Sequence, residues 1–263
     1  MTLKPGSIPE LQKLLPQSQR VANVSLEAVA EFVEHVPEDM TATVQAGMCL
    51  AVFQKRLAAS GQWLPVDPPN PELVTVSELL AKNLSGPRRF GCGTVRDWLI
   101  GLAVVLPDGR LIRNGGKVVK NVAGFDLCRL FVGARDTLGI IVEAAFKLLP
   151  LPEEEAYLAR PCESLGQAEE VLKKIWDSDL QPTVLDLHRI DTESLTLVVG
   201  FAGPSADVEA QSSEVYGLGF VDETSLDYDA AFRHSIPGFT SVAPGQLVST
   251  LRGLGDESFV ARA

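Results

Sequence analysis

The sequence lacks most of the signatures that would settle its chemistry at a glance. Its four cysteines, Cys49, Cys92, Cys128 and Cys162, are scattered, and no two stand at CxxC spacing. A metal knuckle or redox dithiol is therefore not expected, and reduced thiols in a cytoplasmic protein are. The 3 histidines, His35, His188 and His234, lie far apart without spaced carboxylate or cysteine partners. Each reads as structural, and no metal site is expected. Neither a Walker A string nor HExxH occurs. The most apolar run, Trp98 to Leu106, is far short of the roughly 20 residues that cross a bilayer. The opening Met1-Thr2-Leu3-Lys4-Pro5-Gly6 holds no apolar signal-peptide core. Positive charge is short as well: 23 Lys and Arg face 34 Asp and Glu, a net charge of −11. Nucleic-acid binding needs basic surface to neutralise phosphates, so that class is disfavoured.

What is present is a chain of 263 residues, 46% apolar, with 22 glycines and 17 prolines. That is the profile of a folded globular protein with one large domain or two small ones. The shortage of base is not uniform. Between Lys82 and Arg135 ten basic residues face three acidic ones, a local +7 that leaves −18 for the rest. The same stretch is rich in glycine, from Gly86 to Gly133. Glycine clearance together with base suits a phosphate-bearing ligand, although solvated loops would have the same composition.

Periodicity divides the chain in two. In the first half, Ser25–His35 reads as a short helix capped by Ser25. Thr41–Ala46 alternates as a strand. Leu50, Phe53 and Leu57 recur at helical spacing before Gly61. Thr75 with Glu78 has the form of a capping box. Trp98–Leu106 and Arg110–Arg113 form a hairpin around Asp108-Gly109, and Asp126 can cap a helix over Leu127–Phe131. Leu138–Leu149 reads as a buried strand. Pro150 and Pro152 beside three glutamates mark a boundary. Beyond it, strands at Ala156–Arg160, Val184–Ile190, Leu195–Phe201 and Phe220-Val221 are interleaved with helices over Ser164–Trp176 and Pro204–Gly217. That order is β-α-β-β-α-β, the ferredoxin-like arrangement. Phe259–Ala263 is strand-like with nothing downstream to pair with.

Gly91-Cys92-Gly93-Thr94-Val95-Arg96 has two glycines of GxGxxG but arginine at the third, and it precedes a strand. A Rossmann reading needs a strand before and a helix after. Several other runs share one different pattern. They are Thr43–Gly47, Leu64–Pro68, Asn83–Arg89, Gly91–Asp97, Val105–Gly109, Gly115–Leu127 and Leu130–Glu143. In that order the chain resembles the FAD-binding domain of the vanillyl-alcohol-oxidase (PCMH) type from about Val24 to Pro152. The spacing fits glycolate oxidase subunits of the GlcE type best.

The resemblance implies an α+β fold: a partial PCMH-type FAD-binding domain over residues 1–152 and a ferredoxin-like cap over 153–263, with the chain truncated at both ends. It implies FAD, whose pyrophosphate needs backbone N–H groups and whose rings need apolar slots. Thr75, Ser77, Asn83, Ser85, Gly86, Gly91, Gly93, Thr94 and Asp97 would line the pyrophosphate, ribityl and flavin region. Gly139, Ile140 and Ile141 would present backbone to the adenosine end. Read without the family, Asp97 is a cap or a partner of Arg96, and Ile140 and Ile141 are plain core. Three departures stand out. The family's early Gly-Gly-Gly-Thr-like phosphate loop has no counterpart. Thr75-Val76-Ser77-Glu78 replaces its Thr-Ile-Gly-Gly and sets an acid near the phosphates. No histidine-rich segment of the kind that binds metal and substrate in hydroxy-acid relatives is present. No catalytic base is identified.

The implied function is the FAD-binding subunit of a glycolate oxidase-like 2-hydroxy-acid oxidoreductase. Its partners would be a catalytic flavoprotein subunit and an iron–sulfur subunit, and it would be cytoplasmic or membrane-associated through them. The alternative is a degenerate, flavin-free partner that keeps the fold and assembly surface, with FAD binding weak or lost. A free-standing dehydrogenase would need a base and a substrate clamp.

Overall fold

The alternation in Thr41–Gln45 is realised in a strand whose Ala42 and Val44 are buried and whose Thr41, Thr43 and Gln45 are half-buried. In the computed structural model, residues 2–17, 24–115, 127–189, 195–223, 226, 228, 247–253 and 259–262 are described. The chain divides into two compact units, Met1–Ser85 with Gly93–Leu151, and Gly86–Cys92 with Pro152–Ala263.

The first unit opens with helix α1 (Ile8–Leu14), capped by Ser7. Its sheet is built from β1 (Phe32–Val36), β2 (Thr41–Gln45), β4 (Leu99–Val105), β5 (Leu111–Gly115) and β6 (Ile140–Lys147). The order is β1-β2-β6-β4-β5 and every neighbouring pair is antiparallel. A two-stranded ribbon joins β3 (Gln62–Trp63) to β7 (Leu149–Pro150). In α2 (Leu50–Ala58) the buried residues are Leu50, Phe53 and Leu57, the spacing read in the sequence, and Gly61 follows at φ 67. Phe53 stands between Phe32 and Phe146, with ring centroids 5.8 and 5.9 Å away. Helices α3 (Val76–Lys82), α5 (Val95–Trp98) and α6 (Leu127–Phe131) also belong to this unit. The expected hairpin is β4–β5, turned by Gly109 at φ 84 with the Asp108 carboxylate accepting from the Arg110 amide at 3.0 Å.

One expected helix is replaced. Ser25–His35 is rich in helix formers, yet residues 26–31 form turns and irregular chain, and β1 begins at Phe32. Leu26 and Val29 are buried in the core instead. The Gly47 amide donates to the Val29 carbonyl and the Gln45 amide to the Glu31 carbonyl. Burial and cross-strand bonds outweigh helix propensity, which differs by less than about 1 kcal/mol per residue. Asp126, His234 and the run 116–126 lie outside the described residues.

The second unit is the β-α-β-β-α-β element. Its strands are β8 (Glu154–Cys162), β9 (Val184–Arg189), β10 (Leu195–Gly203) and β11 (Val221–Glu223), with α7 (Leu165–Trp176) and α8 (Ser205–Tyr216) between them. The sheet order β11-β8-β10-β9-β12 is the ferredoxin-like order extended by β12 (Phe259–Arg262). The segment that lacked a downstream partner thus pairs backwards, antiparallel to β9. Leu185, Leu187, Leu197, Val199 and Phe201 pack with Ala168, Val171 and Ile175 of α7 and Val208 and Val215 of α8. A short helix, α9 (Leu247–Gly253), adds Leu251 to that core. Helix α4 (Arg89–Cys92) belongs to this unit as well.

Candidate functional site

Helix α3 is the centre of the first unit's candidate site, and its sequence explains its ends. Thr75 is the N-cap, with its hydroxyl accepting from the Glu78 amide at 3.2 Å. Only half of the expected capping box forms, because the Glu78 carboxylate turns along the helix to Lys82. The remaining first-turn amides are used internally. Val76 donates to the Met48 carbonyl at 2.9 Å, Ser77 to the Ala46 carbonyl at 2.6 Å, and Leu79 to the Thr75 carbonyl at 2.9 Å. At the other end Asn83 takes φ 50 and stops the helix. The last carbonyls are claimed too: the Leu84 amide bonds to Leu79, Gly133 to Leu80 and Arg135 to Ala81.

Those bonds dock the turn after α6 onto α3 and create a polar cluster. Gly133 has φ 82, and a Cβ there would stand 3.6 Å from the Asn83 Cβ and 3.9 Å from the Arg96 Nη2. Arg96 donates from that nitrogen to the Val132 carbonyl at 2.9 Å. Asn83 Oδ1, Arg96 Nε and Asp136 Oδ1 are buried without a hydrogen-bond partner. Asp136 also takes φ 61. Burial raises its carboxyl above the ordinary 3.8, and nearby Lys82 acts the other way. Buried polar atoms are nearly always bonded, so the Asn83 and Arg96 orphans on either side of Gly133 mark a place that suits a polar group.

The remaining expected residues are placed in three ways. Thr94, Gly93 and Asp97 form the N-terminus of α5, where the Asp97 carboxylate accepts from the Thr94 amide at 2.8 Å and the Thr94 hydroxyl at 3.0 Å. Asp97 is therefore a cap, while Arg96 is directed to Val132. Gly93, at φ 76, leaves room for that carboxylate: a Cβ would lie 2.7 Å from Asp97 Oδ2. Gly139, Ile140 and Ile141 lie buried on and beside β6, with Ile141 opposite Val104 and Ile140 opposite Val105. A Cβ on Gly139 would stand 2.7 Å from Val104 Cγ1, so its glycine serves strand packing. Gly86 and Gly91 belong to the second unit, and Thr75, Ser77, Asn83 and Ser85 belong to the first. The Gly91 amide donates to the Thr183 carbonyl at 3.0 Å.

In the sequence Gly133 belongs to the glycine-rich basic stretch and to the run Leu130–Glu143 without standing out as a site residue, and Asp136 is not among the candidate site residues. The backbone of the charged pair Arg135-Asp136 takes positive φ, 51 and 61, which nothing in those residue types announces. Of the described histidines, His35 shares a hydrogen bond with Gln62 at 2.9 Å, and His188 stacks on Tyr228 with centroids 4.4 Å apart. Tyr228 also donates to the buried Asp186 at 2.8 Å. Among the described residues no helix is long and apolar enough to cross a membrane.

Residues 12–115 match the FAD binding domain family. The chain is 36% identical over 172 residues to glycolate oxidase subunit GlcD of Bacillus subtilis (strain 168), covering 65% of this chain and 36% of that protein. It is 36% identical over 152 residues to glycolate oxidase subunit GlcE of Escherichia coli (strain K12), covering 57% and 42%. A D-lactate dehydrogenase of Archaeoglobus fulgidus is 29% identical over 166 residues, covering 63% and 35%. The chain thus spans about two fifths or less of the length of these relatives. Among solved structures, an alkyldihydroxyacetonephosphate synthase superposes with a TM-score of 0.71 at 19% identity, over 90% of this chain and 54% of that one. That likeness concerns the fold.

Proposed function

Proceeding from residues 12–115 as a PCMH-type FAD-binding domain, we propose that the chain is the FAD-binding subunit of a glycolate oxidase-like complex that oxidises a 2-hydroxy acid. A catalytic flavoprotein subunit and an iron–sulfur subunit would complete it. The observation that carries this reading is the 36% identity to two proteins that are both glycolate oxidase subunits. The likeness to D-lactate dehydrogenase supports the same substrate class, a hydroxyl on the carbon beside a carboxylate.

The residues fit the two ends of FAD unequally. Asn83 and Arg96 beside Gly133 suit the hydroxyl-rich ribityl and flavin end, because Asn83 Oδ1 and Arg96 Nε are buried without partners. The first turn of α3 does not suit a pyrophosphate, because its amides are bonded within the protein. Bound FAD supplies a two-electron acceptor for the substrate carbon–hydrogen bond. This chain's residues then bind and orient; the proton-accepting base is assigned to the catalytic subunit. A second reading, the flavin-free partner that keeps only fold and assembly surface, is favoured by those same occupied amides.

The test is co-expression with the candidate partner subunits, followed by dye reduction with glycolate and D-lactate and by visible flavin absorbance of each chain. The complex should lose most of its activity when this chain is omitted, and this chain should carry flavin within it. Oxidation of glycolate by this chain unaided, or full activity without it, would sink the proposal. A colourless chain in an active complex would select the second reading.

A further inference from the structure

We infer that the N-terminus of α3 is closed: its first-turn amides offer the pyrophosphate of FAD no donor, and any backbone cradle for the phosphates in this chain lies elsewhere. The inference rests on FAD being the ligand of the domain, and it concerns which residues the phosphates cannot use.

A helix N-terminus attracts an anion only when its first amides point outward unbonded. In α3 none of the first four does. Val76 and Ser77 donate to the carbonyls of Met48 and Ala46, on the turn that follows β2. Glu78 and Leu79 donate to the hydroxyl and carbonyl of Thr75. The bridge between Cys49 and Thr75, with the Leu50 amide donating to Val74 at 2.8 Å, holds the segment before α3 against the same turn. Freeing two amides would therefore mean separating α3 from the turn after β2, not rotating a side chain. Val76, Leu79 and Leu80 are fully buried, which resists such a separation. Glu78 is not the obstacle. Its carboxylate is held by Lys82 one turn along the helix, and removing its charge leaves the amides bonded.

Amide hydrogen exchange over residues 74–80 of the full chain, with and without saturating FAD, tests this directly. In parallel, flavin fluorescence titrations compare FAD with riboflavin, which has neither phosphate, in the wild type and in Glu78→Gln. The Val76, Ser77 and Glu78 amides should exchange at least about 100-fold more slowly than in an unstructured chain, and FAD should change this less than about twofold. The ratio of FAD to riboflavin affinity should move less than about twofold in Glu78→Gln. Amides that exchange freely and slow on adding FAD would overturn the inference. So would a ratio that rises tenfold or more in Glu78→Gln. FAD binding tighter than riboflavin with α3 unchanged supports it and moves the phosphates to other residues. Slow amides in a chain that binds neither flavin also support it, while the flavin-binding proposal fails.

Discussion

The Gly91 amide donates to the Thr183 carbonyl at 3.0 Å, and a Cβ on Gly91 would stand 2.6 Å from the Thr183 Cα. The contact is backbone on backbone, so neither side can yield by changing a rotamer. This places Gly86–Cys92 with the second unit and gives Gly91 a structural reason to be glycine.

Gly91→Ala should therefore destabilise the second unit by roughly 1–3 kcal/mol, the usual cost of forcing atoms into a filled site. Gly166→Ala is the control. It lies in the first turn of α7, where a Cβ would meet only Ser164 Oγ at an ordinary 3.7 Å. Alanine there should be neutral or stabilising by up to roughly 0.5–1 kcal/mol. Urea denaturation of both variants gives the comparison; equal effects would remove the claim about Thr183.

Within the second unit, Arg88 donates to Glu155 at 2.6 Å and also to the Tyr157 hydroxyl, which in turn donates to Glu155 at 3.0 Å. Burial, with the Glu155 carboxylate as a smaller contribution in the same direction, pushes the Tyr157 phenol up to about 12 against the pull of Arg88. A raised acid favours the folded state at low pH and loses that advantage as pH climbs toward the folded value. Tyr157 should stay protonated past pH 10 in the folded protein, and Tyr157→Phe should delete one late step from an ultraviolet pH titration. The same change should cost about 1 kcal/mol, because the Arg88–Glu155 pair survives it. A Tyr157 that titrates at the ordinary 10.0 would contradict the geometry.

What could be read in advance was local. The β4–β5 hairpin followed from Asp108-Gly109, whose turn needs a positive φ. The ferredoxin-like unit followed from helical and alternating periods between Glu154 and Glu223. What could not be read depended on which backbone meets which across long separations. Ser25–His35 looked helical because nothing in it announces that Gly47 and Gln45 will bond to Val29 and Glu31. Glycine at 91 looked like clearance for a ligand, because the alternative is a contact with Thr183, 92 residues later. The polar cluster is only half visible in the sequence: Asn83 stands in a matching run, but Gly133 meets it through a turn whose docking depends on the carbonyls of α3.

That turn carries its own cost at Asp136. Its backbone takes φ 61, its Oδ1 is buried without a partner, and burial raises its carboxyl above 3.8. Since the folded state holds the proton more tightly, stability is greatest below the ordinary carboxylate range and falls as pH rises through the folded value. Asp136→Asn keeps a side chain that tolerates the left-handed region and removes the charge. It should stabilise the protein by about 1 kcal/mol at neutral pH, with the gain vanishing as pH falls toward 3.8, the ordinary value. Thermal melts at several pH values check it, and a gain independent of pH would assign the effect to backbone alone.

The half-formed capping box of α3 gives a last test, because its two members should behave differently. The Thr75 hydroxyl accepts the Glu78 amide, so Thr75→Ala should cost about 1 kcal/mol of stability. The Glu78 carboxylate does not return to the Thr75 amide in this arrangement and pairs with Lys82 at i,i+4 on the surface. Glu78→Gln should therefore cost only about 0.2–0.5 kcal/mol, and less at high salt. If the box were complete, both changes would cost about the same, and the Glu78 loss would persist in salt. Thr75→Ala also frees the Glu78 amide while Val76 and Ser77 stay bonded to Met48 and Ala46. One freed amide is a single donor, not a cradle. Thr75→Ala should thus weaken the fold without raising the preference for FAD over riboflavin. A tenfold gain in that preference from this one substitution would mean that α3 is an anion site closed only by its cap.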